Sequence, residues 1–393
     1  MSEEVYIVSM ARTPLGSFGG SLSGLPATQL GGLAIKGALE KIVLDSLLIE
    51  EVFMGNVVSA NVGQAPARQA ALWAGLPYQT TCTTVNKVCA SGMKAAAFAA
   101  QSIRLGEAGL VVAGGMENMS QIPFYLPKAR YGYGYGNGEI IDGLSKDGLT
   151  DAYDHVAMGV CGDRTAEKHE ISREAQDDYA IQSYKRSAEA TEKGYLREEI
   201  VPVEIPQRKG SPILIQEDEE FKKVNFEKIP TLRPVFSPDG SVTAANASTI
   251  NDGGVALILA SAQKVKELNL KPLARVVASA DAEQEPLWFT TTPIAATKKV
   301  LQRAGLTLQD IDFFEVNEAF SVVVLAYMKA LGLSPEKVNL FGGAVSLGHP
   351  LGVSGARIMG TLVNVLQQKQ GRYGLAAICN GGGGASAVIL ERM

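Results

Sequence analysis

Val85-Asn86-Lys87-Val88-Cys89-Ala90-Ser91-Gly92-Met93-Lys94 sets one cysteine among small residues, and the alanine-rich run from Ala95 to Ala100 behind it reads as a buried helix. Cys89 therefore falls where a loop meets a helix N-terminus. Free backbone N–H groups and the positive end of the helix dipole favour a thiolate there, and any oxyanion formed beside it. A cysteine in an apolar neighbourhood is more often inert core than nucleophile. The balance shifts because the second half of the chain is built on the same plan. Ser91-Gly92-Met93-Lys94 is echoed by Ser354-Gly355-Ala356-Arg357, and each opens an apolar helical run. Gly109 to Gly115 is echoed by Gly374 to Gly382, and Glu51-Val52-Phe53-Met54-Gly55-Asn56 by Asp312-Phe313-Phe314-Glu315-Val316-Asn317. The offsets run only from 261 (51 to 312) to 265 (109 to 374), so the unit is duplicated. The counterpart of the Cys89 loop is Gly348-His349-Pro350. Two related lobes each deliver one reactive side chain from a loop leading into a helix.

At 393 residues the chain is long enough for two or three domains. Hydrophobic residues make up 46% and charged residues 20%, the balance of a globular protein with ample core. A net charge of −5 gives no reason to expect nucleic acid or an anionic membrane surface as partner. Cys82, Cys89, Cys161 and Cys379 form no CxxC pair, and His155, His169 and His349 are scattered. Neither a zinc site nor a disulfide framework is expected, and a reducing, cytoplasmic compartment is. No apolar run reaches the roughly 18 residues of a membrane span. Met1 to Met10 reads as strand rather than as a signal or transit peptide, and Glu391-Arg392-Met393 is not a peroxisomal address.

Along the chain, Val5 to Ser9 reads as a buried strand, Leu30 to Ile42 as a helix, and Val52-Phe53-Met54 and Leu110 to Ala113 as further strands. Strands alternating with helices imply an α/β protein whose sheet is mostly parallel and covered on both faces. Beyond Met119 that rhythm stops. Tyr131 to Gly138 alternates tyrosine with glycine, and a polar helix opens at Ser172-Arg173-Glu174. Ile200 to Pro206 and Ile213 to Ile215 read as short strands, and Glu217-Asp218-Glu219-Glu220 as a charged loop. This stretch reads as an insertion that covers substrate. Its Lys222, Lys223 and Lys228 are either a solvated face or phosphate contacts. Val255 to Ala260 returns as a buried strand. The expected division is residues 1–118 with 250–270 as N-terminal lobe, 119–249 as inserted loop domain, and 271–393 as C-terminal lobe.

Three more residues carry chemistry. His349 lies between glycine and proline, an odd place for a core histidine and a good one for a general base. Cys379 follows an apolar strand and leads into Gly381 to Gly384, where the backbone can approach a ligand and offer N–H donors. A flexible turn and a strand-end core cysteine are the plain alternatives. Asn317 can cap a helix from Ala319 to Met328, with Glu318 in its first turn, and such a cap is compatible with a polar active-site role.

Four separated motifs in one order, the Cys89 stretch, Asn317-Glu318-Ala319-Phe320, Gly348-His349-Pro350 and Cys379-Asn380-Gly381, resemble the thiolase family across essentially the whole chain. Within it the finer similarity is to biosynthetic acetyl-CoA acetyltransferases of eukaryotic cytosolic type. The resemblance implies an α/β thiolase fold of two duplicated βαβ lobes, with mixed sheets covered by helices and an inserted loop domain over coenzyme A. It implies Claisen condensation of two acetyl-CoA to acetoacetyl-CoA and CoA, reversible by thiolysis, at the first step of the mevalonate and sterol pathway. In that scheme Cys89 is acetylated while His349 takes its proton, and Cys379 removes the α-proton of the second acetyl-CoA. Asn317, through a water, and His349 hold one thioester oxygen, and the N–H groups of Cys89 and Gly381 hold the other.

The resemblance also places Leu149, Tyr184, Lys223, Lys228 and Ser248 along the coenzyme A tunnel. Tyr184 and the carbonyls of Ala244, Ala245, Ala247 and Val345 match a potassium site of some members; no cofactor is required for the chemistry itself. Met158 and Phe289 belong to the acyl pocket, where Ala157-Met158 and Phe289-Thr290 depart from the His-Met and Phe-Pro of other members. The implied partners are acetyl-CoA, acetoacetyl-CoA and coenzyme A, within a homotetramer. A degradative 3-ketoacyl-CoA thiolase is the alternative reading, followed by a β-ketoacyl synthase-like condensing enzyme or an inactive lipid carrier. Synthases lack a second catalytic cysteine, and a silent carrier has no use for Cys89, His349 and Cys379 together.

Overall fold

The repeat in the sequence is a repeat of sheet topology. In the first half, Val5–Arg12 pairs antiparallel with Asn251–Ser261, and that strand pairs antiparallel with Leu110–Asn118. Leu110–Asn118 then pairs parallel with Glu51–Gly55, which pairs parallel with Thr81–Val85. The second half repeats the order: Ala274–Glu283, Gly384–Arg392, Tyr373–Asn380, Phe313–Val316, with the same antiparallel and parallel senses. A parallel bridge from Phe314 to Val338 stands in the fifth place. The halves join where Tyr6 and Ile7 face Arg275 and Ala274, which makes one continuous sheet of nine strands in line, with Gly16–Ser17 as a tenth on its side. Residues 3–393 are described, in a computed structural model of the chain; Met1 and Ser2, read above with the first strand, lie outside them.

The alternation of strands and helices suggested a mostly parallel sheet, and the observed sheet is mixed. The reason lies in the returning strands. In the second half Tyr373–Asn380 turns straight back into Gly384–Arg392 through glycines, with Gly382 and Gly383 at positive φ. In the first half the inserted segment occupies the place of that turn, between Leu110–Asn118 and Asn251–Ser261.

Helices Ser91–Leu105 and Leu351–Lys369, which follow the Cys89 and His349 loops, pack on each other in the middle of the molecule. Met93, Ala96 and Ala100 meet Val353, Ala356, Met359 and Leu362 in one cluster. Each larger side chain buried there stabilises the fold by about 1.5–3 kcal/mol. Small residues let the backbones close in. A Cβ on Gly92 would sit 2.8 Å from the Gly352 carbonyl oxygen, and one on Gly115 1.9 Å from the same atom. This crossing brings the two helix N-termini to one place.

The insertion is bolted to the first strand by buried charge. Arg12 forks onto Asp218 at 2.7 and 2.9 Å and gives Nε to Glu199 at 2.8 Å, all three side chains being buried. Glu217 to Glu220 read as a charged loop in the sequence; Asp218 is instead a core residue, because its partner arrives from 206 positions away. Among the described residues no helix is long and apolar enough to cross a membrane, and all four cysteines are free thiols.

Candidate active site

His349 precedes helix Leu351–Lys369, and its backbone N–H donates to Asn251 Oδ1 at 3.0 Å. Its ring lies between two polar side chains. Nδ1 is 2.6 Å from Ser354 Oγ, Ser354 Oγ donates to the Pro350 carbonyl at 3.0 Å, and Asn317 Nδ2 stands 3.5 Å from Nε2. The direction of this chain follows from what each atom can give. Asn317 Nδ2 has only protons to offer, and the Ser354 proton goes to Pro350, so His349 carries its proton on Nδ1 and leaves Nε2 basic. Burial, with the Arg357 guanidinium second, lowers the imidazole pKa to about 3, so the ring is neutral.

Cys89 sits just before helix Ser91–Leu105. Its loop is pinned by Val88 N–H on Asn86 Oδ1 (3.0 Å), by Lys87 N–H on Ser91 Oγ (2.8 Å), and by Ser91 Oγ–H on the Val88 carbonyl (2.6 Å). Burial pushes the Cys89 thiol up to about 11, against the pull of the Gly381 and Cys89 backbone N–H groups. The helix N-terminus favoured a thiolate in the sequence; in the structure desolvation outweighs it, and the resting group is a thiol. Cys379, at the end of Tyr373–Asn380, is pushed well above the ordinary thiol range by burial and then by the neighbouring Cys89. The two thiols are thus close enough for the charge on one to raise the other. Met158 and Phe289 pack in the same cluster as Cys379, and a Cβ on Gly381 would stand 3.7 Å from both Met158 Sδ and Val88 Cγ1. The structure thus links Cys89 to Gly381 and Cys379, packs Cys379 with Met158 and Phe289, and sets Asn317 against His349.

Asn317 and Glu318 differ from their reading as a helix cap and first turn. The helix starts at Ser321 with Phe320 in the cap position, because Phe320 is held extended by a bridge to Ala247 and Ser321 N–H is taken by the Asn246 carbonyl. Asn317 instead prolongs its strand, giving its N–H to Ala377, and its buried Oδ1 has no hydrogen-bond partner among the described residues. Glu318 is buried and accepts from Tyr179 Oη and Ser183 Oγ at 2.7 Å, and from Asn339 Nδ2 and Val345 N–H at 3.0 Å. It ties the insertion helix Arg173–Glu192 to the turn that leads to His349.

The residues implied for coenzyme A lie on the insertion side. Tyr184, Val345 and Val224 share a cluster, and the Tyr184 ring meets Phe226 edge-on at 6.4 Å. That contact carries the segments bearing Lys223 and Lys228. Lys223 reaches the Ser17 hydroxyl and stands 3.9 and 4.0 Å from Glu219 and Glu220, and Lys228 is exposed. Leu149 packs on the cluster containing Leu351, and Ser248 N–H donates to the Ala319 carbonyl at 3.0 Å. Burial, then Glu220 and Glu318, raise the Tyr184 hydroxyl pKa to about 12. Glu220 and Glu318, the second and third causes, add a negative field that suits a cation, and the Tyr184 hydroxyl with the carbonyls of Ala244, Ala245, Ala247 and Val345 is the all-oxygen chemistry that potassium would take. Ala244 is exposed, whereas Ala245, Ala247 and Val345 are buried.

Residues 5–263 match the description of the thiolase N-terminal domain and residues 270–392 that of the thiolase C-terminal domain. The chain belongs to the thiolase family. It is 56% identical over 394 residues to acetyl-CoA acetyltransferase of Schizosaccharomyces pombe, covering 100% of both chains. It is 54% identical over 390 residues to the cytosolic acetyl-CoA acetyltransferase ERG10 of Gibberella zeae, covering 99% of this chain and 98% of that one. It is 53% identical over 392 residues to the mitochondrial acetyl-CoA acetyltransferase of Homo sapiens, covering 100% and 91%. The crystal structure of Acat5 thiolase from Ascaris suum in complex with coenzyme A matches at a TM-score of 0.94 with 45% identity over 100% of both chains.

Two supports of this thiolase site escaped the sequence. In the sequence Ser354 stands out only as the echo of Ser91, and that echo is its signal: each serine closes the loop in front of its helix. Glu117 had none. It is buried at the end of Leu110–Asn118 and accepts from Val57 N–H (2.9 Å), Val58 N–H (3.2 Å), Asn56 Nδ2 (3.0 Å) and Gly352 N–H (2.9 Å). It therefore ties the first lobe to the N-terminus of the His349 helix.

Proposed function

We propose that this thiolase is an acetyl-CoA C-acetyltransferase that joins two acetyl-CoA into acetoacetyl-CoA and CoA through an acetyl group on Cys89. The observation that carries the reading is a pair of neighbouring buried thiols, Cys89 and Cys379, in a chain whose His349 is held by Ser354 and Asn317 with Nε2 free to accept. His349 takes the Cys89 proton as the sulfur attacks the first thioester. The oxyanion is held by backbone N–H groups of Cys89 and Gly381, a contribution typically worth about 2.7–4 kcal/mol per donor. The CoA thiolate leaves with the proton of Cys379. Cys379, now a thiolate of high basicity, takes the α-proton of the second acetyl-CoA, whose enolate oxygen rests on His349 and Asn317. The carbanion attacks the acetyl group, the C–S bond to Cys89 breaks, and His349 returns its proton. Protons balance with none gained or lost.

Leu149, Tyr184, Lys223, Lys228 and Ser248 guide coenzyme A, with Lys223 exchanging its glutamates for phosphate. Met158 and Phe289 bound the acyl group. Potassium, where bound at Tyr184, would brace the turn before His349. A cytoplasmic homotetramer supplying acetoacetyl-CoA to mevalonate and sterol synthesis is the setting this reading favours, supported by the cytosolic relative and by free thiols suited to a reducing compartment. The test is thiolysis of acetoacetyl-CoA beside a long-chain 3-ketoacyl-CoA. Preference for acetoacetyl-CoA is expected; preference for the long chain would make the enzyme a degradative thiolase.

A further inference from the structure

Arg357 lies one turn beyond Ser354 on helix Leu351–Lys369 and is only 1% exposed. Its Nε, Nη1 and Nη2 find no acceptor among the described residues. Opposite it, Glu315 is also 1% exposed, and neither carboxyl oxygen finds a partner there. Nη1 and Oε2 are 4.0 Å apart, beyond direct hydrogen-bond reach. Of the polar groups nearby, Asn317 Oδ1 is also without a partner, and the others on the helix face are paired. Ser354, Arg357, Thr361 and Asn364 form a stripe down one face of the helix, and Thr361 and Asn364 give their protons to Glu199, which also holds Arg12. Most of the unmet hydrogen bonding here therefore falls on Arg357 and Glu315, with five of the six unpaired atoms. Buried polar groups without partners cost about 1–3 kcal/mol each, more when charged, and native interiors meet such deficits with internal water. Two hydrogen bonds of about 2.8 Å meeting at one water oxygen span about 4.6 Å at a tetrahedral angle and about 4.0 Å when the angle closes to roughly 90°.

We infer that a buried water bridges Arg357 to Glu315, and that the bridge positions Asn317 against His349. Glu315 precedes Asn317 by two residues, so both side chains leave the strand on one side, while Phe314 and Val316 face the opposite core. Arg357 belongs to the helix whose N-terminus follows His349. The bridge ties this strand to this helix one step below the point where Asn317 Nδ2 reaches His349 Nε2 at 3.5 Å. Apolar packing alone is non-directional and would leave that separation loosely set. Neither residue touches substrate; both are positioning residues. The inference rests on the oxyanion role given above to Asn317 and His349.

The decisive variant removes both partners at once. Arg357→Met with Glu315→Leu leaves no buried charge unpaired, and such apolar replacements are commonly neutral or stabilising. The double variant is expected to melt no lower than the parent, keep KM for CoA within about twofold, and lose about tenfold in kcat, part of the roughly hundredfold that a 1 Å misplacement costs. Glu315→Gln, which still bonds the water, is expected to lose much less, about twofold. A folded double variant with parental kcat overturns the inference. A high-resolution crystal structure of the parent decides independently of whether the variant folds: density for a water within about 3.2 Å of both Arg357 Nη1 and Glu315 Oε2 supports it, and a direct Arg357–Glu315 contact overturns it. Asn317→Ala and His349→Ala separate the two levels. Parental kcat in these would remove the oxyanion assignment itself, whereas their loss beside an active double variant would remove the bridge alone.

Discussion

Ser354→Ala is a one-atom test of the His349 tautomer. The substitution deletes the acceptor 2.6 Å from Nδ1 and leaves little cavity. The Pro350 carbonyl is still served, because Val353 and Ser354 N–H groups both reach it at 3.1 Å. The loss therefore falls on the imidazole. A buried donor without a partner costs about 1–3 kcal/mol. The ring can escape by moving its proton to Nε2, but there it points at Asn317 Nδ2, another donor, and can no longer accept the Cys89 proton. Either way the reactive tautomer is penalised, and 1–3 kcal/mol corresponds to roughly 5- to 150-fold in rate. The assay is single-turnover acetylation by acetyl-CoA, read by intact mass, with the two ring nitrogens of His349 followed by nitrogen NMR. A drop in that range with protonation moving toward Nε2 is expected. A parental acetylation rate in the folded variant would refute the tautomer argument.

Cys89→Ala should remove condensation and thiolysis with the fold intact, whereas Cys379→Ala should slowly accept an acetyl group yet form no acetoacetyl-CoA; mass spectrometry after acetyl-CoA distinguishes the trapped adduct from no adduct. The Cys89 thiol is raised to about 11, so less thiolate is present at every lower pH; alkylation of Cys89 by iodoacetamide should climb about tenfold per pH unit toward that value, and a plateau near an ordinary thiol pKa of about 8.5 would contradict it. Replacing potassium by a bulky organic cation should lower activity or melting temperature if Tyr184 holds the ion, and identical behaviour in both salts removes that site. Arg12→Met strands the buried Asp218 and Glu199 carboxylates and should cost about 3–5 kcal/mol of stability, read by denaturant melts, with a change under 1 kcal/mol counting against the buried ion-pair account.

The parts legible in the sequence were those written as local pattern. A constant offset between halves announced the repeated strand order, and small residues before an apolar helix marked the loops of Cys89 and His349. Glu117, Glu318 and Asp218 were not legible for a shared reason. Each is a carboxylate whose donors come from distant segments: Gly352 lies 235 positions from Glu117, Tyr179 lies 139 from Glu318, and Arg12 lies 206 from Asp218. Nothing near them in the chain signals burial, and a charged residue in a loop reads by default as solvated. Asn317 shows the converse failure. Asn-Glu before an apolar run satisfies the pattern of a helix cap, yet pairing with Ala247 and Asn246 delays the helix to Ser321. Local propensity lost there to tertiary hydrogen bonds.

Desolvation also explains why the site is built from neutral groups. Burial raises both thiols and lowers the imidazole, so before substrate arrives the pocket holds no net charge among its three reactive side chains. In the reaction proposed above, charge appears only as the thioester carbonyl is attacked or the α-carbon deprotonated, next to the N–H groups assigned there as its donors. A preformed thiolate would attack sooner but would have to be kept from water and oxidants, at the cost of a buried ion. A neutral thiol–imidazole pair instead couples ionisation to attack. This places the demand on geometry rather than on resting pKa: the separations of His349 from Ser354 and Asn317 must hold to a fraction of an ångström. The site therefore depends on struts such as Glu117, Glu318 and the Arg357–Glu315 pair, which lie behind the reacting atoms and connect the two lobes, the insertion and the central helix that meet there.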